Sequence, residues 1–189
     1  MLVFAVINTT LGQGTLISSN TGLCYFGFYH HSTNRERWLR ARFPEERDLT
    51  MAPDFPYLKE AVKQLNDYLA GQLRTFSLPL DLRGTAFQIA VWQALSMVRY
   101  GQTTTYGDLA AAVGHPRAAR GVGNAMRANP LPIFIPCHRV LPANGSLGCY
   151  GGGRELKRQL LELEGSFLPN NKSQNGKTTM YHACNSQLW

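Results

Sequence analysis

The run Ile133-Phe134-Ile135-Pro136-Cys137-His138-Arg139-Val140-Leu141 constrains this chain more than any other stretch. Its apolar residues demand burial, yet the residues at its centre do not suit a core strand. Pro136 cannot donate to a sheet ladder, which makes an irregular backbone the expectation here. Adjacent residues on an extended strand point to opposite faces. Cys137 and His138 can therefore work as a pair only if the chain turns here or a water joins them. A buried free cysteine usually behaves as a small hydrophobe. To react, its thiol needs help, because its unperturbed pKa is about 8.5. An imidazole acting as its base in turn needs an orienting partner. Glu164 is the candidate. It lies in the last turn of a predicted helix, where the macrodipole disfavours a carboxylate, and beside a leucine seam. A buried acid is expected to be paired. The alternative is an ordinary residue at a frayed helix end.

The chain has 189 residues, 44% hydrophobic and 16% charged. That is globular composition, with length enough for one core or two small ones. No apolar run approaches the roughly 20 residues of a membrane span. Met1 to Ile7 lacks a basic leader and a cleavage site, so it reads as a first strand, and cytosol or nucleus is the expected compartment. Cys24, Cys137, Cys149 and Cys184 form no CxxC pair, which argues against a disulfide scaffold. A formal net charge of +7 favours anionic partners, nucleic acid being the commonest large one.

Residues 1 to about 30 read as β structure, with Asn20-Thr21-Gly22 as a turn between two strands. Asn34 to Phe43 reads as a helix closed by Pro44. Pro56 to Gly71 is a stronger one, with Leu58, Val62, Leu65 and Leu69 recurring at helical spacing. This α/β unit carries no motif tied to chemistry. Beyond it, Thr85-Ala86-Phe87-Gln88 and Thr105-Tyr106-Gly107-Asp108 are capping boxes that open helices. Gly114-His115-Pro116 is a turn, with Pro116 expected at the first position of a helix running to about Arg127. A glycine-rich loop and a final helix, Arg154 to Glu164, follow. The expected units are 1–80, 81–165 and a polar, flexible tail at 166–189.

The two short helices around Gly114 have the outline of a helix-turn-helix. On the second, Ala118, Ala119, Val122, Ala125 and Met126 fall on one side. Arg117, Arg120, Asn124 and Arg127 fall within an arc of about 80° on the other. Three arginines without an acid suit an anion. Gly121 and Gly123 each cost about 1 kcal/mol relative to alanine in a helix, which suggests close approach by another backbone or a nucleic-acid groove.

Ile-Pro-Cys-His-Arg-Val resembles the active-site signature of the O6-alkylguanine-DNA alkyltransferases. The resemblance extends over residues 84 to 165 through Val98-Arg99-Tyr100-Gly101, Thr105 to Ala110, Pro116 to Gly123, Met126 to Pro130 and Tyr150-Gly151-Gly152-Gly153. It implies a ribonuclease-H-like α/β N-terminal domain and a mainly α C-terminal domain with a winged-helix-like helix-turn-helix. The implied activity is irreversible, single-turnover transfer of an alkyl group from O6-alkylguanine, and O4-alkylthymine, in double-stranded DNA to Cys137. His138, through a water, would take the thiol proton, with Glu164 holding the imidazole. Tyr106 would help rotate the 3′ phosphate and supply a proton to guanine N3. Arg120 would fill the space of the flipped nucleotide, with Arg117, Asn124, Arg127, Gly121 and Gly123 also at the DNA. Backbone groups at Cys137 and Val140 would read the exocyclic amine, with Tyr150 and Gly151 beside the pocket. Asn129 would brace the turn before the active-site segment, and Arg139 would be structural. No cofactor or metal is implied, and the protein would act as a monomer, with cooperativity on DNA left open.

Departures from the family pattern are Gly151, where some relatives carry serine, Cys149 beside the pocket, and His115, a poorer cap than asparagine. Cys24, His30 and His31 do not make a convincing zinc set. Among alternatives, a non-catalytic lesion binder of the alkyltransferase-like type would carry tryptophan in place of Cys137. For a Cys/His hydrolase, no recognisable oxyanion-hole element accompanies the cysteine, and the arginine helix is left unexplained. A plain helix-turn-helix regulator leaves the thiol unexplained.

Overall fold

The computed structural model describes residues 1–28, 32–46 and 48–167. Strands β1 (Leu2–Thr9), β2 (Gly12–Ser18), β3 (Leu23–Phe28) and β4 (Leu49–Met51) form one sheet in the order β3-β2-β1-β4. β1 and β3 run antiparallel to β2, and β4 lies parallel to the start of β1. Alternation along the strands gives each face a core. On one face, Leu2, Ile17, Cys24 and Tyr25 pack with Phe43, Trp38 and Leu39 at α1 (Ser32–Arg42). On the other, Val3, Ala5, Leu16 and Phe26 pack under Leu58, Ala61 and Leu65 of α2 (Pro56–Leu69).

The second half begins at α3 (Ala86–Ser96), whose Thr85 capping box is present as the sequence predicts. α4 (Tyr106–Ala112) opens on the second box, with Thr105 accepting from the Asp108 backbone. α5 (Ala119–Arg127) starts three residues later than expected. His115 provides no cap. Instead its carbonyl accepts from the Ala118 N–H, so Pro116 and Arg117 form a turn before the helix. Proline suits the second position of such a turn as well as it suits a helix start. α6 (Arg154–Leu163) closes the described chain, capped at Glu164. The expected tail falls almost entirely outside the described residues, as do His30 and His31.

The core beneath α2 continues into the second half. The Phe26 N–H donates to the Pro130 carbonyl at 2.8 Å, and the Phe134 ring meets Phe26 at 5.8 Å and Phe76 at 4.7 Å. Leu131, Ile133 and Ile135 are buried in the cluster that also holds Leu16 and Leu58. Ile133 sits at φ 77°, the sole non-glycine residue with positive φ among those described. A β-branched residue there costs about 1–3 kcal/mol and persists because its surroundings dictate it. Phe134→Ala is therefore expected to destabilise the protein by about 3–5 kcal/mol in a single transition. Denaturant unfolding followed by probes in each half checks this; separate midpoints would contradict a shared core.

Candidate active site

The apolar run turns twice, and the two turns bring thiol and imidazole into one site. Pro136 has φ −79° and ψ 62°, and the Cys137 N–H donates to the Ile135 carbonyl at 2.8 Å. That is an inverse γ-turn. Cys137–Arg139 then form a 3-10 turn, closed by Arg139 N–H to the Pro136 carbonyl. The chain next becomes β6 (Val140–Leu141), paired in parallel with β5 (Thr104–Thr105). This pairing fixes the start of α4, and Tyr106 with it, beside the active-site segment.

His138 is fully buried, and its Nε2 lies 2.9 Å from Glu164 Oε1. With Nε2 donating to the carboxylate, Nδ1 is the basic nitrogen. Nδ1 is buried and meets no protein partner. Burial holds the imidazole below its ordinary pKa, against the raising effect of Glu164, so it is neutral at physiological pH. Burial likewise pushes the Cys137 thiol up; the Asn129 amide and the nearby Tyr150 hydroxyl pull it back only in part. Asn129 Nδ2 stands 3.1 Å from the sulfur and also donates to the Ile135 carbonyl at 3.0 Å, while its Oδ1 accepts from Leu131. It therefore braces the turn. Cys24 offers a contrast: burial, then the charge of Asp81, pushes it up to about 12, and it donates to the Ile17 carbonyl.

Glu164 gathers more donors than the sequence suggests. Arg139 approaches it with Nη2 at 2.7 Å and Nε at 2.9 Å, and donates Nη1 to the Val98 carbonyl. The Tyr68 hydroxyl donates to Oε1 at 2.6 Å, and Gly101 N–H reaches Oε2 at 3.4 Å. Gly101 has φ 77°, and an added Cβ would stand 3.0 Å from the Glu164 carbonyl, so both its conformation and its contact require glycine. Burial would raise the Glu164 carboxyl, but the bonds from His138, Arg139 and Tyr68 outweigh it and hold it at about 2.

Tyr68 and Lys157 were not singled out from the sequence. Lys157 is fully buried, and its ammonium donates to the Val140 carbonyl at 2.6 Å. Burial lowers it to about 8. The signals existed. Lys157, Leu160, Leu161 and Glu164 share one helical stripe, which places a charge at each end of an apolar face. Tyr68 falls in register with Leu58, Ala61 and Leu65, and a buried tyrosine needs a partner for its hydroxyl.

The expected DNA-facing residues divide. Arg120, Asn124 and Arg127 project from α5 and are exposed, while Val122 and Ala125 are buried. Arg117 is exposed but belongs to the preceding turn, not to the helix face. A Cβ on Gly121 would meet the Phe87 ring at 3.3 Å, so packing on α3 accounts for that glycine. Gly123 leaves space, with the Tyr106 ring edge 4.0 Å away. Tyr106 is half-buried. Tyr150 is half-buried with its hydroxyl enclosed, and Gly151 has nothing against its missing side chain. Positive charge concentrates in this half: residues 83–167 hold nine Lys and Arg against four Asp and Glu, whereas residues 1–82 hold eight of each. Among the described residues, no group of three or more His, Cys, Asp or Glu is placed for a metal ion. No helix among them is long and apolar enough to cross a membrane.

Because the Glu164 pKa falls from about 4.5 unfolded to about 2 folded, its contribution to stability is complete above about 4.5. That contribution is lost as pH falls towards 2. Glu164→Gln is expected to be less stable at neutral pH and to lose part of the wild-type decline in that acid window. Denaturant unfolding of both proteins across pH tests this, and parallel acid declines would contradict it.

Residues 2–82 match the 6-O-methylguanine DNA methyltransferase ribonuclease-like domain, and residues 86–166 match the DNA binding domain of the same family. A constitutive methylated-DNA–protein-cysteine methyltransferase of Bacillus subtilis is 53% identical over 132 residues, covering 69% of this chain and 79% of the relative. The Methanosarcina acetivorans protein of that name is 37% identical over 165 residues, covering 87% and 99%. The crystal structure of Mycobacterium tuberculosis OGT in complex with DNA superposes with a TM-score of 0.74 at 40% identity, covering 87% of this chain and 93% of that one. The turned thiol segment, the buried imidazole and carboxylate behind it, and these matches in both halves agree: the chain belongs to the 6-O-methylguanine DNA methyltransferase family.

Proposed function

We propose that Cys137 accepts the alkyl group in this family's reaction, the direct repair of O6-alkylguanine in DNA. The observation that carries the assignment is the 3-10 turn that sets the Cys137 thiol next in the chain to a buried imidazole whose Nε2 is held by Glu164 and whose Nδ1 meets no protein partner. His138 Nδ1 takes the thiol proton through a bridging water, and Glu164 stabilises the imidazolium. The sulfur attacks the alkyl carbon, so an S–C bond forms as the C–O6 bond breaks. Tyr106, kept protonated by burial, hydrogen-bonds to N3 of the departing guanine, and the proton taken up by His138 returns to the base through solvent. The product is a thioether with no easy hydrolytic exit, so each molecule acts once. No cofactor takes part.

DNA docks on the exposed face of α5, with Arg117 at its approach. Arg120 enters the base stack, and Asn124 and Arg127 flank it. Gly123 offers the smooth surface that the backbone of a nucleic acid requires. Gly121 contributes indirectly, by seating α5 on Phe87. The flipped base lies against Tyr150 and Gly151. The Val140 carbonyl has one lone pair on Lys157 and keeps its second for the exocyclic amine. The N-terminal unit ends near residue 80. The protein works as a monomer in the cytosol or nucleus, and O4-alkylthymine is a second substrate.

Incubation with duplex DNA containing O6-methylguanine is expected to add one methyl group to the peptide carrying Cys137; label on Cys149 or Cys184 would overturn the assignment. Arg120→Ala is expected to slow repair of duplex DNA by about tenfold or more. Reaction with free O6-benzylguanine should barely change, and equal losses on both substrates would remove the intercalating role.

A further inference from the structure

Tyr68 comes from α2, in the half of the chain without a chemical motif, yet its side chain is fully buried at the active site. Its hydroxyl donates to Glu164 Oε1 at 2.6 Å and stands 3.4 Å from His138 Nε2. The same oxygen receives Arg139 Nη2 at 2.7 Å and His138 Nε2 at 2.9 Å. A carboxylate oxygen shared among three donors has less charge left to favour a second proton on the imidazole. We propose that Tyr68 is a positioning residue for alkyl transfer: by sharing Glu164 Oε1 with His138, it keeps the imidazole a neutral base with Nδ1 available to the thiol. The inference rests on the reading of Cys137 as the alkyl acceptor.

The other groups at the imidazole act differently. Arg139 also shares Glu164 Oε1 but brings a permanent positive charge, Lys157 acts on His138 through its charge alone, and Glu164 is the shared acceptor. Tyr100 packs edge-on against the Tyr68 ring at 6.0 Å but donates to the Leu163 carbonyl. Tyr150 feels the charge of Cys137 more strongly than that of Tyr68 or Glu164. Burial, then the charge of Glu164, pushes the Tyr68 hydroxyl far above the ordinary tyrosine range, so it remains a donor throughout the reaction. No bond to Tyr68 forms or breaks.

The test is Tyr68→Phe, which keeps the ring packed between Phe76 and Tyr100 and alters no charge. Single-turnover transfer from free O6-benzylguanine is followed across pH for both proteins, with circular dichroism to establish folding. The acid limb, where His138 gains a proton, is expected to move up by about one pH unit in the variant, while the alkaline plateau stays nearly unchanged. The His138 ring resonances, titrated by NMR, should show the same displacement without reference to turnover. A uniform rate loss with an unmoved limb, an unchanged profile, or an unfolded variant would each overturn the proposal, since the hydroxyl would then serve the fold alone. If wild-type protein alkylated Cys137 at no pH, the acceptor reading would fail instead, and the His138 titration would still decide the role of Tyr68.

Discussion

One buried carboxylate organises the molecule. Desolvating an acid costs several kcal/mol unless its lone pairs are filled. Glu164 fills them from α2, from the loop after α3 and from the 3-10 turn at Cys137–Arg139. Those stretches are far apart in the chain, and none could be moved without exposing a charge to an apolar interior. Such an arrangement is weak evidence for stability, because well-packed apolar residues could replace it at little cost. It is better understood as specifying geometry: one acceptor fixes a histidine tautomer, an arginine plane and the end of α6 together.

The division of charge follows a similar logic. The balanced N-terminal half contributes burial, and the basic half holds both the exposed arginines and Cys137. Between α5 and the thiol lies a segment bound by Asn129 and strained at Ile133. A rigid link of this kind means that whatever α5 grips is held at a fixed offset from Cys137.

Local features were legible in the sequence, and distant ones largely were not. Both capping boxes formed as read, because a Thr and its partner three residues on decide the matter between themselves. The bend at Pro136 and the pairing of His138 with Glu164 were also anticipated, the first from a missing donor and the second from a carboxylate on a leucine seam. The start of α5 was misplaced because proline suits both a turn and a helix start, and only packing decides between them. Arg139 was expected to be structural; its fork spans both carboxylate oxygens, so it shares Glu164 with His138. Tyr68 sits in a helix whose periodicity is fully accounted for by core packing. Its partner lies 96 residues away, a distance at which periodicity carries no information.

The order of the chain also governs when the thiol is primed. Cys137 leaves the ribosome well before Glu164 does, and the helix that delivers Glu164 must dock on Tyr68 and Gly101 before the imidazole has an orienting acid. A nascent chain thus carries an ordinary, unassisted cysteine until its last described helix is in place.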